Sequence, residues 1–198
     1  KFYVNPEKAL GHCFVCSWSK RFPRMIKNLG RVVQARKEEE EDQMIGLPES
    51  SPFLSTEIMN FILKRVPAAQ TQNIADGTWR MGKKDGRLII PIRENGKIMA
   101  YIARAVNGEK PKELSGPNRS HFLYGWDQVY DRHVEGAMSI TLVEGVFDQI
   151  KVNSFNWPCL ALMGSSISDI QIGKLLKLKP TKVILMMDGD DAGRKATK

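Results

Sequence analysis

The chain has 198 residues, 42% of them hydrophobic and 26% charged, which suits one or two domains with a real core and excludes a disordered tail. Its formal net charge of +8 favours a polyanionic partner such as nucleic acid. No apolar run reaches the roughly 18 residues of a membrane span, no signal peptide is evident, and three cysteines, an odd number, argue against a disulfide scaffold and for a reducing compartment.

Charge is spread unevenly. Residues 1–37 carry nine Lys/Arg and one acid, whereas 38–56 carry six acids and no base. Phe2-Tyr3-Val4 predicts a strand, Asn5-Pro6-Glu7-Lys8 a turn, and His12-Cys13-Phe14-Val15-Cys16 a knuckle with a Cys-x-x-Cys pair fit for a metal or for redox chemistry. Residues 23–36 can form a short basic helix. The self-repelling block Glu38-Glu39-Glu40-Glu41-Asp42 and the Pro48 to Pro52 stretch mark a linker over 38–54.

Ser55 or Thr56 can cap a helix running to Arg65, since Ile58, Phe61, Ile62 and Arg65 recur at helical spacing. Strands then follow at Arg87–Ile92 and Lys97–Arg104, joined by the hairpin signal Glu94-Asn95-Gly96. The last 60 residues alternate: strand Ser139–Val143, helix Val146–Phe155, strand Pro158–Met163, a capping box at Ser168-Asp169-Ile170-Gln171 opening a helix to about Lys177, and strand Lys182–Met187. That alternation predicts parallel strands with right-handed crossovers. The expected class is α/β, with an α+β basic subdomain at 55–137 ahead of a parallel core at 138–198. The start at Lys1 and the stop inside an apparent helix at Lys198 suggest a fragment.

Chemistry in parallel α/β sheets collects at the carboxyl ends of strands. Glu144 directly follows one strand, with Asp148 a helical turn later. Asp188 and Asp190 follow another in Asp188-Gly189-Asp190-Asp191-Ala192-Gly193. Carboxylates gathered in one place stay ionised together only beside a cation, and hard oxygen donors select Mg²⁺ or Mn²⁺ over zinc. Such ions neutralise phosphates. An EF-hand loop fits less well, because a β-like run precedes the acids and Ala192 takes a ligand position. A phosphatase of the haloacid dehalogenase type usually opens, and does not close, its domain with the Asp-x-Asp motif.

These residues resemble a family. Thr141-Leu142-Val143-Glu144-Gly145-Val146-Phe147-Asp148, Ala161-Leu162-Met163-Gly164-Ser165-Ser166 and Asp188 through Ala196 are similar to the segments of TOPRIM domains, and Ala192-Gly193-Arg194-Lys195 to those of bacterial and phage primases of the DnaG type. Gly86 to Ile92, Tyr101 to Arg104, Pro111 to Pro117 and Phe122 to Gly125 resemble the primase basic subdomain; residues 3–16 resemble the second half of its zinc ribbon, within a unit at 1–37.

The resemblance implies synthesis of RNA primers on single-stranded DNA by nucleotidyl transfer. Glu144, Asp148, Asp188 and Asp190 would be catalytic, with Glu144, Asp188 and Asp190 on Mg²⁺ or Mn²⁺. Arg87, Arg104, Lys112 and Lys195 would hold nucleotide or nucleic-acid phosphates, and Cys13 and Cys16 would bind structural Zn²⁺, with the other two ribbon ligands before Lys1. The implied partners are single-stranded DNA template, nucleoside triphosphates, RNA primer and a replicative helicase, with no membrane. The setting would be the cytoplasm of a bacterium or phage-infected cell. A TOPRIM nuclease or topoisomerase, or a non-catalytic nucleic-acid-binding module, are the rival expectations.

Overall fold

The computed structural model describes residues 2–5, 10–13, 19–21, 45–66, 79–83, 85–133 and 139–188, the first three segments and residues 132–133 in backbone alone. In chain order the elements are β1 (Phe2–Asn5), β2 (Leu10–Cys13), β3 (Ser19–Arg21), β4 (Ser50–Ser51), α1 (Thr56–Leu63), β5 (Arg80–Gly82), β6 (Leu88–Glu94), β7 (Lys97–Arg104) and β8 (Glu113–Ser115). A 3₁₀ turn (Arg119–His121) follows, then α2 (Trp126–His133), β9 (Ser139–Val143), α3 (Val146–Asn153), β10 (Cys159–Ala161), α4 (Asp169–Lys177) and β11 (Lys182–Leu185).

Among the described residues these strands form three sheets. β1, β2 and β3 form an antiparallel meander, so the N-terminal strand expectation holds. The stretches 6–9, 14–18 and 22–44, with Cys16, the expected turn, the basic helix and the acidic block, lie outside the described residues. The second sheet is an antiparallel run in the order β4-β5-β6-β7-β8. Its centre is the β6–β7 hairpin, closed by Asn95 and Gly96 at φ 53° and 73°, the left-handed pair that a two-residue turn between twisted strands requires. Among the described residues, pairing of β5 with β6 ends at Ile89, which leaves the β6 edge at Pro91 without a strand partner on that side.

The end of the expected linker belongs to this sheet. Ile45 donates its N–H to Ile98, and Ser50 and Ser51 pair with Gly82 and Met81. Composition marks 45–54 as connecting chain, but backbone pairing, which side chains do not reveal, draws it into the fold.

The third sheet has the order β10-β9-β11 with all strands parallel, as the alternating pattern predicts. The α4 capping box is present: Ser168 accepts from the Gln171 N–H and the Gln171 side chain accepts from the Ser168 N–H. Gln171 is 1% exposed and also donates to the Phe122 and Leu162 carbonyls, so one polar side chain ties α4 to two loops. Tyr124 and Ala161 exchange backbone hydrogen bonds, adding an antiparallel contact beside β10.

The antiparallel and parallel sheets share one core. Ile58 and Ile62 of α1, Leu88, Ile90 and Ile92 of β6, and Ala100 and Ile102 of β7 pack in one cluster with Val143, Val146, Ile150, Ala161 and Met163. Burying each large aliphatic side chain stabilises by roughly 1.5–3 kcal/mol. A second cluster, around Leu123, Trp126, Val129, Ile140, Leu142, Leu160 and Leu178, sits behind the parallel sheet.

Two polar contacts cross the same boundary. Lys174 of α4 pairs with Glu94 at the end of β6, 1% and 9% exposed, and its ammonium lies 4.2 Å from the Phe122 ring centroid. The Asp127 carboxylate accepts the N–H groups of Asn95 at 2.6 Å and Gly96 at 3.0 Å, latching α2 to the hairpin tip. Among the described residues no helix is long and apolar enough to cross a membrane.

Candidate active site

Glu144 stands at the carboxyl end of the central parallel strand because β9 stops at Val143 and the chain turns at Gly145. Gly145 caps α3 without a side chain of its own, and a Cβ there would come within 2.9 Å of an Asp148 carboxylate oxygen. The glycine thus lets the loop and the first turn of α3 close on each other. Backbone bonds position both flanks: Met163 donates to the Glu144 carbonyl at 2.8 Å, and Met186 donates to Leu142 at 2.8 Å. Beyond Met186 the chain reaches Asp188, whose N–H donates to Glu144 Oε1 at 3.2 Å. Two acids separated by 44 positions therefore meet at one sheet edge.

Glu144, Asp148 and Asp188 line a cleft of about 360 Å³ together with Gly145, Phe147, Gly164, Ser165, Arg104, Lys112, Glu113 and Arg119. Its walls differ in charge. The parallel sheet supplies the three acids. The antiparallel sheet and its following turn supply Arg104, Lys112 and Arg119, with Glu113 hydrogen-bonded to Arg104 and 3.7 Å from Arg119. Phe147 forms the apolar floor, edge-on to Phe61 at 5.8 Å and Trp79 at 5.7 Å, with the Arg104 guanidinium 6.0 Å from its centroid. Asp148 also faces Lys151 one turn along α3, at 3.7 Å.

Five of the residues expected to carry function thus share the cleft: Glu144, Asp148, Asp188, Arg104 and Lys112. Asp190 and Lys195 lie outside the described residues, as does Cys16. Cys13 ends β2 and is described in backbone only. Among the described residues no group of three or more potential ligands is gathered closely enough to hold a metal. The oxygen donors present, Glu144 beside Asp188, still suit a hard divalent cation by donor type.

Arg87 departs from expectation. It is 5% exposed, donates to the Pro111 carbonyl at 2.9 Å and the Ala103 carbonyl at 3.5 Å, and pairs with Asp85 at 3.3 Å. It does not line the cleft. An arginine opening an apolar strand reads as a solvated or phosphate-facing cation in one dimension. In three, its guanidinium holds the 103–111 loop closed.

Arg119 and Glu113 were not expected at the site. No motif marks Arg119, and the role of Glu113 appears only once β7 and β8 pair in the register that sets Arg104 opposite Glu113. Behind the acids, burial pushes the Cys159 thiol up to about 12, with the negative charge of Asp148 adding to the effect. Burial likewise pushes the Tyr124 phenol up to about 12 against the hydrogen bond from Trp79. Neither group is ionised at neutral pH.

Comparison with known proteins fits this geometry. Residues 141–198 match the family described as Toprim-like. The DNA primase of Deinococcus radiodurans is 30% identical over 119 residues, 57% of this chain and 21% of that protein. The DNA primase of Synechocystis sp. is 30% identical over 148 residues, 68% of this chain and 23% of that protein. The matched stretch thus spans about a fifth of the length of these curated relatives. The crystal structure of a DNA primase domain from Pseudomonas aeruginosa superposes with a TM-score of 0.51 at 26% identity, over 76% of this chain and 49% of that one. With its Toprim-like segment at 141–198 and its acid-lined parallel sheet, the chain is similar to bacterial DNA primases over as much as 68% of its length.

Proposed function

We propose that the protein to which this chain belongs synthesises short RNA primers on a single-stranded DNA template, joining ribonucleotides by metal-dependent nucleotidyl transfer. One observation carries the proposal most: the Asp188 N–H on Glu144 Oε1, which seats two acids side by side across a cleft from Arg104 and Lys112. An acidic wall facing a basic wall suits a ligand that presents phosphates to one side and cation-bridged oxygens to the other.

Glu144, Asp188 and Asp190 would hold Mg²⁺ or Mn²⁺, with Asp148 in support; when bound, the ion neutralises charge on the phosphates. Glu144, at the strand end, is positioned to accept the proton of an attacking hydroxyl. Arg104, Lys112 and Lys195 would hold triphosphate or template phosphates, so binding should weaken with salt. Phe147 lines the cleft as an apolar surface beside these groups. Cys13 and Cys16 would hold a structural Zn²⁺. Partners would be template, nucleotides, primer and a replicative helicase, in a bacterial cytoplasm or a phage-infected cell.

The test is primer synthesis by the full-length protein with and without Glu144→Gln. Synthesis should fall by at least about a hundredfold, the usual scale for losing a residue that acts at the reacting atoms, while single-stranded DNA binding persists. Equal synthesis by both proteins would remove Glu144 from the site. Metal-dependent DNA cleavage without ribonucleotide incorporation would instead favour a TOPRIM nuclease.

A further inference from the structure

The basic wall of the cleft already contains an anion. Arg104 and Glu113 are direct cross-strand partners, and their side chains are hydrogen-bonded. The other Glu113 oxygen lies 3.7 Å from Arg119, which arrives from a different element, the 3₁₀ turn after β8. One carboxylate therefore spans two guanidiniums. The Arg104 side chain is 14% exposed, against 32% for Arg119 and 36% for Glu113, so the carboxylate is the more accessible partner of Arg104. Arg104 Nε is buried with no hydrogen-bond partner among the described residues, leaving part of its donor set unused.

Guanidinium donors match phosphate oxygens as well as they match a carboxylate. A partly exposed ion pair is screened by water and weakly held. A phosphate group, with more charge and more oxygens, competes well for the same donors. The acids that would face a bound cation lie across the same cleft.

We propose that Arg104 and Arg119 form a two-armed phosphate clamp whose resident counter-ion is Glu113. In the empty cleft Glu113 offsets the repulsion between the two guanidiniums and keeps them converged. An entering phosphate group takes its place. Glu113 thereby sets a threshold: it lowers affinity for weakly charged ligands and is displaced by strongly charged ones. The inference rests on the polymerase reading of this cleft and adds Arg119 and Glu113 to it. The phosphate can come from the triphosphate of a nucleotide or from the backbone of a nucleic acid.

Calorimetric titration of the full-length protein with inorganic tripolyphosphate, and separately with single-stranded oligodeoxythymidine, in excess magnesium chloride, tests it. Glu113→Gln should tighten binding of at least one probe by roughly three- to tenfold, the scale for removing one nearby like charge at moderate salt. Glu113→Ala should act in the same direction, and Arg119→Gln should weaken the same probe. An effect on tripolyphosphate alone assigns the clamp to nucleotide phosphates; an effect on the oligonucleotide alone assigns it to the backbone. Weaker or unchanged binding of both probes by the two Glu113 variants would overturn the clamp. If synthesis is lost in Glu144→Gln while the Glu113 and Arg119 variants bind normally, this inference alone fails. If the wild-type protein binds neither probe, the polymerase reading fails with it.

Discussion

Two contacts between a cation and a glutamate bracket the molecule, and water separates their roles. Lys174 and Glu94 meet where the parallel and antiparallel sheets join, 1% and 9% exposed, under the face of Phe122. Arg104, Glu113 and Arg119 meet in the cleft, 14–36% exposed. The chemistry of attraction is nearly the same. In the dry pair, each charge has given up its hydration, so losing one partner leaves the other buried without its counter-ion. In the wet group, solvent stands ready to replace a partner, so exchange is easy. The dry pair fixes how the two sheets sit, and thereby where the acidic wall faces the basic one. The wet group is free to trade ligands.

The contrast can be broken most severely at the seam. Glu94→Gln or Lys174→Met alone should destabilise the protein by about 3–5 kcal/mol in urea unfolding, because a buried charge loses its counter-ion. The double variant Glu94→Leu with Lys174→Met should recover most of that loss. Single variants that cost less than about 1 kcal/mol would place the pair in the weak, solvated class instead.

A second effect, smaller near neutrality, comes from the two protonated groups behind the cleft. Cys159 and Tyr124 have ordinary values of 9.0 and 10.0, and burial holds each at about 12 in the fold. Below about pH 8 both are essentially neutral whether folded or not. Between about 9 and 12 the unfolded chain releases their protons while the folded chain keeps them, so stability falls as pH rises through that window. Tyr124→Phe and Cys159→Val should each flatten this alkaline decline in a pH series of denaturant titrations. An unchanged slope in both would mean that neither group is shielded.

The smallest change belongs at the surface. Lys83 pairs with Glu49 at 2.8 Å with 57% and 77% of the side chains exposed. Lys83→Ala should move the urea midpoint by no more than about 0.5 kcal/mol equivalent. A loss as large as that at the seam would erase the distinction between dry and wet pairs.

Much of the fold was legible where a local rule acts alone. Strand β7 and strand β9 span the residues that periodicity indicates, and the α4 box is a two-residue reciprocal bond readable from Ser168 and Gln171. Helix α2 was not foreseen: among its described side chains Trp126 and Val129 alone are buried, beside the polar Asp127, Gln128 and Asp131, too few to make an apolar stripe. At the candidate site, the acids could be anticipated because the ends of parallel strands are predictable places. Glu144 and Asp188 do meet there. The basic wall was only half readable. Arg87 and Arg104 both border apolar strands, yet register and loop packing bury one against carbonyls and open the other to the cleft. Arg119 is placed by a turn, which carries no periodic signal.

The hairpin tip held by Asp127 has a practical consequence for anyone who would splice a tag or a reporter into this protein. Tight turns at a surface are ordinarily the first choice for such grafts. Here the backbone N–H groups of Asn95 and Gly96 are both engaged by a helix more than thirty positions away, so a graft would cut the tether that orients α2. The bend at Gly108, with open space on the side where a Cβ would stand, is the better doorway.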